Sequence, residues 1–358
     1  MKYDAVVAGA GIWGCTVARR IAEAGGKVLV LEARGAVGGN VRCETDPETG
    51  IEIHTYGSHI FHTSDREVWN FIRRFTEFNG YQHRVIACYR GRHYYLPLGL
   101  ALINKFFGVE LKPGEALEFM KDEKRSAAVF DAFFRGYTSK QWGRSPEEID
   151  PSVIRRVPVR TTYDVNYFND YMQGIPSDGY NAVFDRMLDH PAIALKVNRP
   201  FSLADIDAFK GVKIYYSGPI DRLFGYRFGH LPWRSLRFER ETLDVKDFQG
   251  TSVVNYTEAE IPYTRIHEFK HYHPEGGDWG YDSPKTVVMR EYPCEWRPGD
   301  EPYYPIDSAE SRALLAKYEE QARKFPDLRV GGRLGAYRYY DMDKSIAAAL
   351  EITRGMSI

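Results

Sequence analysis

Three glycines, Gly9, Gly11 and Gly14, sit in "DAVVAGAGIWGCTVARRIAEAGGKVLVLEA", which reads as strand, glycine turn, helix and second strand, closed by Glu32. That order is what a dinucleotide-binding turn needs. Gly9 permits the tight turn, Gly11 lets backbone approach a pyrophosphate, and Gly14 lets the helix sit close to the strand, with phosphate at the helix N-terminus. Glu32 is placed to take ribose hydroxyls, and an acid there disfavours a 2′-phosphate. FAD and NAD both satisfy this pattern. Downstream, "ARGAVGGNV" sets Gly38, Gly39 and Asn40 along the same edge in the manner of two-domain flavoproteins, which favours FAD. The plain structural alternative, glycines that only shape a turn, does not explain the acid or the order of elements.

A second chemistry-rich stretch, "GGRLGAYRYYDMDKSIAAAL", runs from Gly331 to Leu350. Its apolar run predicts a helix from Asp341 to Leu350 with Asp341 and Asp343 in the first turn, a helix N-terminus suited to backbone contacts with a cofactor. Tyr337, Tyr339 and Tyr340 would then stand near the flavin. A capped surface helix explains the same letters equally well.

The elements that position these residues follow from periodicity. Helical spacing covers 65–80, with Ser64 as N-cap, and 114–135. "HRVIACYRGRHYYLPL" alternates about a turn at Arg90-Gly91, a hairpin signal. Strands are expected at "VKIYYSG", "SLRFERETL", "TSVVNYT", "TRIHEFKHY" and "TVVMREYP", mostly as an antiparallel sheet. The fold class is α/β: a Rossmann-like FAD-binding core with a helical insertion and an antiparallel-sheet substrate domain. The core takes 1–64, 175–222 and 327–358, the helical domain 65–82 and 98–174, and the sheet domain 83–97 and 223–326.

Composition narrows the function. A chain of 358 residues, 43% hydrophobic, can bury a large core. Its 48 Lys and Arg balance 49 Asp and Glu, so no global field favours nucleic acid or an anionic membrane. Met1-Lys2 leads straight into the first apolar strand with no secretory n-region, and Tyr94 to Gly108, the longest apolar run, is too short to span a bilayer. Cys15, Cys43, Cys88 and Cys294 form no CxxC pair and read as reduced thiols. A cytoplasmic protein is the expectation. The histidines of "GSHIFHT" and "HEFKHYHPE" lack metal-ligand spacing and read as packing or surface residues, so no metal is expected.

Over essentially its whole length the chain resembles the UDP-galactopyranose mutases, especially the actinobacterial type. The matching stretches include "GSHIFHT", "YQHRV", "FFRGYTSKQWG", "RRVPVR", "NYFNDYMQGIPSDGY", "YSGPIDRLF", "TSVVNYTEAEIPYTRIHEFKHYHPE", "REYP", "EPYYPI" and "GGRLGAYRYYDMD". The resemblance implies interconversion of UDP-galactopyranose and UDP-galactofuranose for cell-surface galactofuranose glycans. It further implies FAD that must be reduced, whose N5 displaces UDP from the anomeric carbon, opens the sugar as an iminium and lets it reclose through its 4-hydroxyl. No side-chain nucleophile is needed, and the protein orients the cofactor and manages charge.

By motif match the resemblance places Arg156 and Arg265 as a diphosphate clamp, because arginine is permanently charged and bonds two oxygens at once. Tyr167, Tyr304 and Tyr339 would donate to phosphate oxygens. Tyr137, Trp142, Phe133 and Asn255 would hold the uracil and sugar edge. His59, Ile60, Ala33, Gly39, Asn40, Arg333, Asp341, Met342 and Ser345 would line the cofactor, and His59 would count with Arg156, Arg265, Tyr304 and Tyr339 among the catalytic residues. Arg156 lies on a segment, 150–160, that reads as a mobile lid. The implied partners are UDP-galactose, a reductant such as NAD(P)H or a reductase, and a second copy in a homodimer. The helical segment before "FFRGYTSKQWG" is shorter than in the family, which leaves the sugar-nucleotide range open. Two alternatives stand beside this reading: a mutase of an N-acetylated or 6-deoxy pyranose nucleotide, and an amine-oxidase-type flavin oxidoreductase.

Overall fold

The computed structural model describes residues 3–145, 160–275, 277 and 279–356. The expected lid, with Arg156, therefore lies outside the described residues apart from Arg160.

The first apolar strand, Ala5–Ala8, is the centre of a five-stranded parallel sheet ordered Leu328–Val330, Lys213–Tyr216, Ala5–Ala8, Val28–Leu31 and Ile193–Lys196. Both faces of its central strands are buried, which is why "AVVA" and "VLVL" read as unbroken apolar runs rather than alternation. Val7, Val28 and Val30 face one core with Val17 and Ile21 of the first helix, Ile12–Glu23, and Ile346 of the C-terminal helix, Met342–Ile352. Val6, Leu29 and Ile214 face the other core with Leu223 and Tyr318. The first and last helices pack on each other, so the two ends of the chain meet beside the glycine turn.

A seven-stranded sheet forms the second layer, ordered Tyr304–Pro305, Trp233–Leu243, Thr286–Glu295, Arg265–Glu268, Val253–Tyr256, Val85–Tyr89 and Arg92–Leu96. All its pairings are antiparallel except Val253–Tyr256 with Val85–Tyr89. The hairpin turns at Arg90-Gly91, where both residues have positive φ. This sheet sets Arg265 directly across from Glu291 on one side and from Asn255 on the other.

The helical region departs from the sequence reading. The helix expected over 65–80 covers only Arg66–Ile72, and its N-cap is Asp65, not Ser64: the Asp65 carboxylate accepts from the amides of Glu67 at 2.8 Å and Val68 at 3.3 Å. Packing ends it early, because Phe78 has to stack against Trp69 and Phe61, and buried Phe75 turns inward. The helix expected over 114–135 is broken into Glu115–Phe119 and Glu123–Phe130, followed by a π-turn, Asp131–Arg135, and the helix Gly136–Trp142. Asp122 makes the break by capping the second piece through the amide of Arg125 at 2.9 Å. The strand expected in "TRIHEFKHY" stops at Glu268 and tightens into a 3₁₀ turn, Phe269–Tyr272.

Candidate active site

A cavity of about 950 Å³ runs from the glycine turn of the parallel sheet to the antiparallel sheet and the helix Gly136–Trp142. It stands at the upper end of the ~300–1,000 Å³ usual for small-molecule sites.

At one end the backbone forms a cradle. Gly9 has φ +105°, and a Cβ on it would lie 2.2 Å from Ser217 Oγ; a Cβ on Gly14 would lie 1.9 Å from the carbonyl oxygen of Gly9. Only glycine fits either position. The first helix begins at Gly11 with no side-chain cap and no acid in its first turn, so its amides and dipole are offered to an anion. Glu32 is buried and shared: one oxygen accepts from the amide of Ala10 at 2.7 Å, the other from the amide of Arg34 at 2.8 Å. Each carboxylate oxygen has a second lone pair for a hydroxyl. Ala33, Gly39 and Asn40 line the same end. Arg34, which the sequence reading did not single out, donates to Asn40 Oδ1 at 2.8 Å and pairs with Glu301 at 2.5 Å.

Along the middle, His59, Ile60, Arg333, Asp341, Met342 and Ser345 line the wall, with the last three at the start of the C-terminal helix. His59 Nδ1 lies 2.6 Å from the Gly57 carbonyl, and its own amide donates to His54 Nδ1 at 3.0 Å. Burial, aided by the nearby Arg333 charge, lowers the His59 ring to about 4, so it is neutral at ordinary pH. Arg333 donates to the Tyr340 carbonyl at 2.8 Å and lies 4.8 Å over the Tyr339 ring. Tyr340 also lines the cavity. Tyr337 does not: its hydroxyl donates to the Ile306 carbonyl at 2.9 Å and accepts from the Ile306 amide at 3.1 Å, locking the loop before the helix.

The far end is cationic and aromatic. Arg265, Tyr137, Trp142, Tyr167, Tyr304 and Tyr339 all line it. Arg265 donates to the Tyr137 hydroxyl. Its Nε stands 3.3 Å from Glu291 Oε1, an ion pair whose N–H is not aligned as a hydrogen bond. Burial alone would raise the Glu291 carboxyl, but the Arg265 charge and the His267 hydrogen bond outweigh it and hold it at about 2. Burial pushes Tyr137 and Tyr304 well above the usual tyrosine range, so both stay protonated donors. Lys140 of "GYTSKQW" does not reach the cavity; it donates to the carbonyls of Tyr256, Ile261 and Tyr263 at 2.8, 2.9 and 3.0 Å and fixes the helix that carries Tyr137 and Trp142.

Two expected side chains are not in the wall. Phe133 is buried among Tyr89, Tyr94 and Phe106, and its neighbour Phe134 faces the cavity instead, since adjacent helical residues point about 100° apart. Asn255 is buried beside Arg265, its direct cross-strand partner and so on the same face of the sheet, and its Oδ1 has no hydrogen-bond partner. Glu291, Ser58 and His62 were missed as site residues, and each lines the cavity. His62, read as a packing or surface residue, lies 2.6 Å from Asp170 and stacks on Phe168.

Among the described residues, Cys43, Glu52 and His54 lie close enough to suggest a metal centre. The hydrogen bonds argue otherwise: His54 Nδ1 accepts from the His59 amide, so the neutral ring carries its proton on Nε2, the nitrogen 3.9 Å from Glu52.

Comparison with known proteins agrees with this architecture. Residues 132–339 match the UDP-galactopyranose mutase family and residues 7–75 an NAD(P)-binding Rossmann-like domain. A probable UDP-galactopyranose mutase from Klebsiella pneumoniae is 38% identical over 97% of this chain and 92% of that protein. The dTDP-fucopyranose mutase of Escherichia coli is 35% identical over 97% of this chain and 96% of its own length. The UDP-galactopyranose mutase of Mycoplasma pneumoniae is 35% identical over 98% and 95%. In fold, a crystal structure of reduced UDP-galactopyranose mutase superposes with a TM-score of 0.72 at 17% identity, over 98% of this chain and 95% of that one. A redesigned putrescine oxidase shares the architecture more distantly, with a TM-score of 0.57 at 10% identity over 99% and 98%.

Proposed function

The chain belongs to the UDP-galactopyranose mutase family, and on that premise we propose that it interconverts UDP-galactopyranose and UDP-galactofuranose, using reduced FAD held in this cavity. The observation that carries the reading is that one cavity joins an uncapped dinucleotide cradle to a half-buried arginine ringed by tyrosines. The cradle fits FAD because glycine alone can occupy it and the first helical turn offers amides without a competing acid.

Gly9, Gly11 and Gly14 would face the pyrophosphate and Glu32 with Ala33 the ribose, while Gly39, Asn40, His59, Ile60, Arg333, Asp341, Met342 and Ser345 would flank the rest of the cofactor. Bound and reduced, the flavin would supply a nucleophilic nitrogen to the anomeric carbon with no net redox change. Arg265 would hold the diphosphate as it leaves and returns, its charge permanent and its position set by Glu291. Tyr137, Tyr167, Tyr304 and Tyr339 would donate to phosphate oxygens or wall the sugar, and Trp142 and Phe134 would close the side toward the base. Arg156 joins this clamp on the resemblance alone. Phe133 would act from behind the wall through packing, and Asn255 from beside Arg265 on the same sheet face. The division into a cofactor core, a helical domain and a sheet domain, pairing into a homodimer, supply of electrons by NAD(P)H or a reductase, a cytoplasmic location and a place in cell-surface glycan synthesis belong to the same reading. Among the described residues no helix is long and apolar enough to cross a membrane.

The 35% identity to a dTDP-fucopyranose mutase favours a second substrate, a 6-deoxy sugar on a deoxynucleotide. Incubating the reduced protein with UDP-galactopyranose and dTDP-fucopyranose side by side, and resolving furanose products by chromatography, tests both. Preferential conversion of the UDP sugar supports the first reading; preferential conversion of the dTDP sugar replaces it.

A further inference from the structure

Arg265 and His267 lie two residues apart on one strand, hence on the same face, and both reach the carboxylate of Glu291. Arg265 stands by Oε1 at 3.3 Å, and His267 Nε2 lies 3.1 Å from Oε2. The other nitrogen of the same ring, Nδ1, is 2.5 Å from Ser58 Oγ. Ser58 belongs to the turn that carries His59 into the cavity, and its oxygen accepts from the Tyr272 hydroxyl at 2.5 Å. His267 itself is wholly buried, against Phe269.

With a neutral ring, only one arrangement of protons satisfies this chain. An ionised carboxylate can only accept, so Nε2 must donate to Glu291; a neutral ring then leaves Nδ1 to accept the single hydrogen of Ser58, and the Ser58 oxygen is left to accept from Tyr272. Burial lowers the His267 ring below the ordinary range despite the opposing pull of Glu291, which agrees with a neutral ring.

We propose that His267 is a positioning residue of this site: a neutral ring, protonated on Nε2, that ties the Ser58–His59 turn to the Glu291–Arg265 pair, so that the two walls of the cavity are placed as one unit. The consequence rests on the proposed function. A nucleotide diphosphate held by Arg265 and a flavin flanked by His59 would be brought into register by a residue that touches neither.

Two measurements on the flavin-loaded protein test it. Nitrogen-15 NMR without UDP, with labelled histidine, should show His267 as the neutral Nε2–H tautomer at neutral pH, with Nδ1 shifting on Ser58→Ala and Nε2 on Glu291→Gln. An imidazolium or an Nδ1–H ring overturns the proposal, whatever the substrate proves to be. Titration with UDP should then show Ser58→Ala weakening binding by about three- to tenfold, the loss expected for one buried hydrogen bond. The same change should cost nothing further in a His267→Gln background. Unchanged affinity in Ser58→Ala, or losses that multiply in the double variant, would contradict the coupling. If the unsubstituted protein fails to bind UDP, the proposed substrate falls, and the tautomer still decides the role of His267.

Discussion

The rings of Tyr304 and Tyr339 stack with centroids 5.3 Å apart and planes 13° from parallel, and the guanidinium of Arg333 lies 4.8 Å over the Tyr339 ring. The stack joins the edge strand of the antiparallel sheet to the loop before the C-terminal helix. Tyr339→Phe keeps the ring and so should keep the melting temperature, while UDP affinity falls by about tenfold or more, the worth of a hydrogen bond to a charged group. Tyr339→Ala should lose stability as well. Unchanged UDP affinity in the Phe variant would remove that hydroxyl from phosphate binding.

Arg265→Ala should retain yellow FAD and lose most turnover. It also leaves the buried Glu291 carboxylate without its counter-charge, held only by hydrogen bonds from His267 and Thr264, a loss of up to about 3–5 kcal/mol, the cost of removing one partner of a fully buried pair. Adding Glu291→Gln should therefore recover melting temperature without recovering turnover. If the double variant regains activity, Arg265 acts through the fold rather than on the diphosphate.

Stability should fall on acidification in two stages. His59 and His83 are held at about 4 and about 3, chiefly by burial, below their ordinary 6.5. Between those values the unfolded chain binds protons that the folded one refuses, so stability is full above about 6.5 and declines below it. Glu291, depressed from 4.5 to about 2, adds a second decline as pH falls from about 4.5 toward 2, worth on the order of 3 kcal/mol. Denaturant midpoints across pH would check this; His83→Gln should flatten the first stage, and an unchanged slope would contradict the assignment.

Gly14→Ala would drive a methyl to 1.9 Å from the Gly9 carbonyl oxygen. Overpacking of this kind typically costs about 1–3 kcal/mol, and here it would push the first helix off the cradle. The expected product is a colourless, less stable protein; purification with full visible flavin absorbance would contradict the proposed cradle.

What the sequence disclosed was local. The glycine turn, Glu32 and the C-terminal helix could be read because strand, turn and helix follow one another within a few tens of residues. What it hid depends on strand register and helix phase. Glu291 lies 26 positions from Arg265 in the chain, and only the antiparallel pairing sets them opposite. The sequence offered Arg290-Glu291 in "REYP" without saying which charge faced inward. A one-residue difference in helix phase likewise turned Phe133 into the core and Phe134 toward the cavity. Tyr337 looked equivalent to Tyr339, but its positive φ and its bonds to Ile306 make it a loop lock.

The most direct test of the account is anaerobic incubation of the flavin-loaded protein with excess UDP-galactopyranose and a limiting amount of dithionite, followed by chromatographic separation of the furanose isomer. The account predicts no conversion by the oxidised protein and many product molecules for each electron pair supplied. Product in proportion to the reductant or oxidant consumed, or none from protein carrying fully reduced FAD, would contradict it.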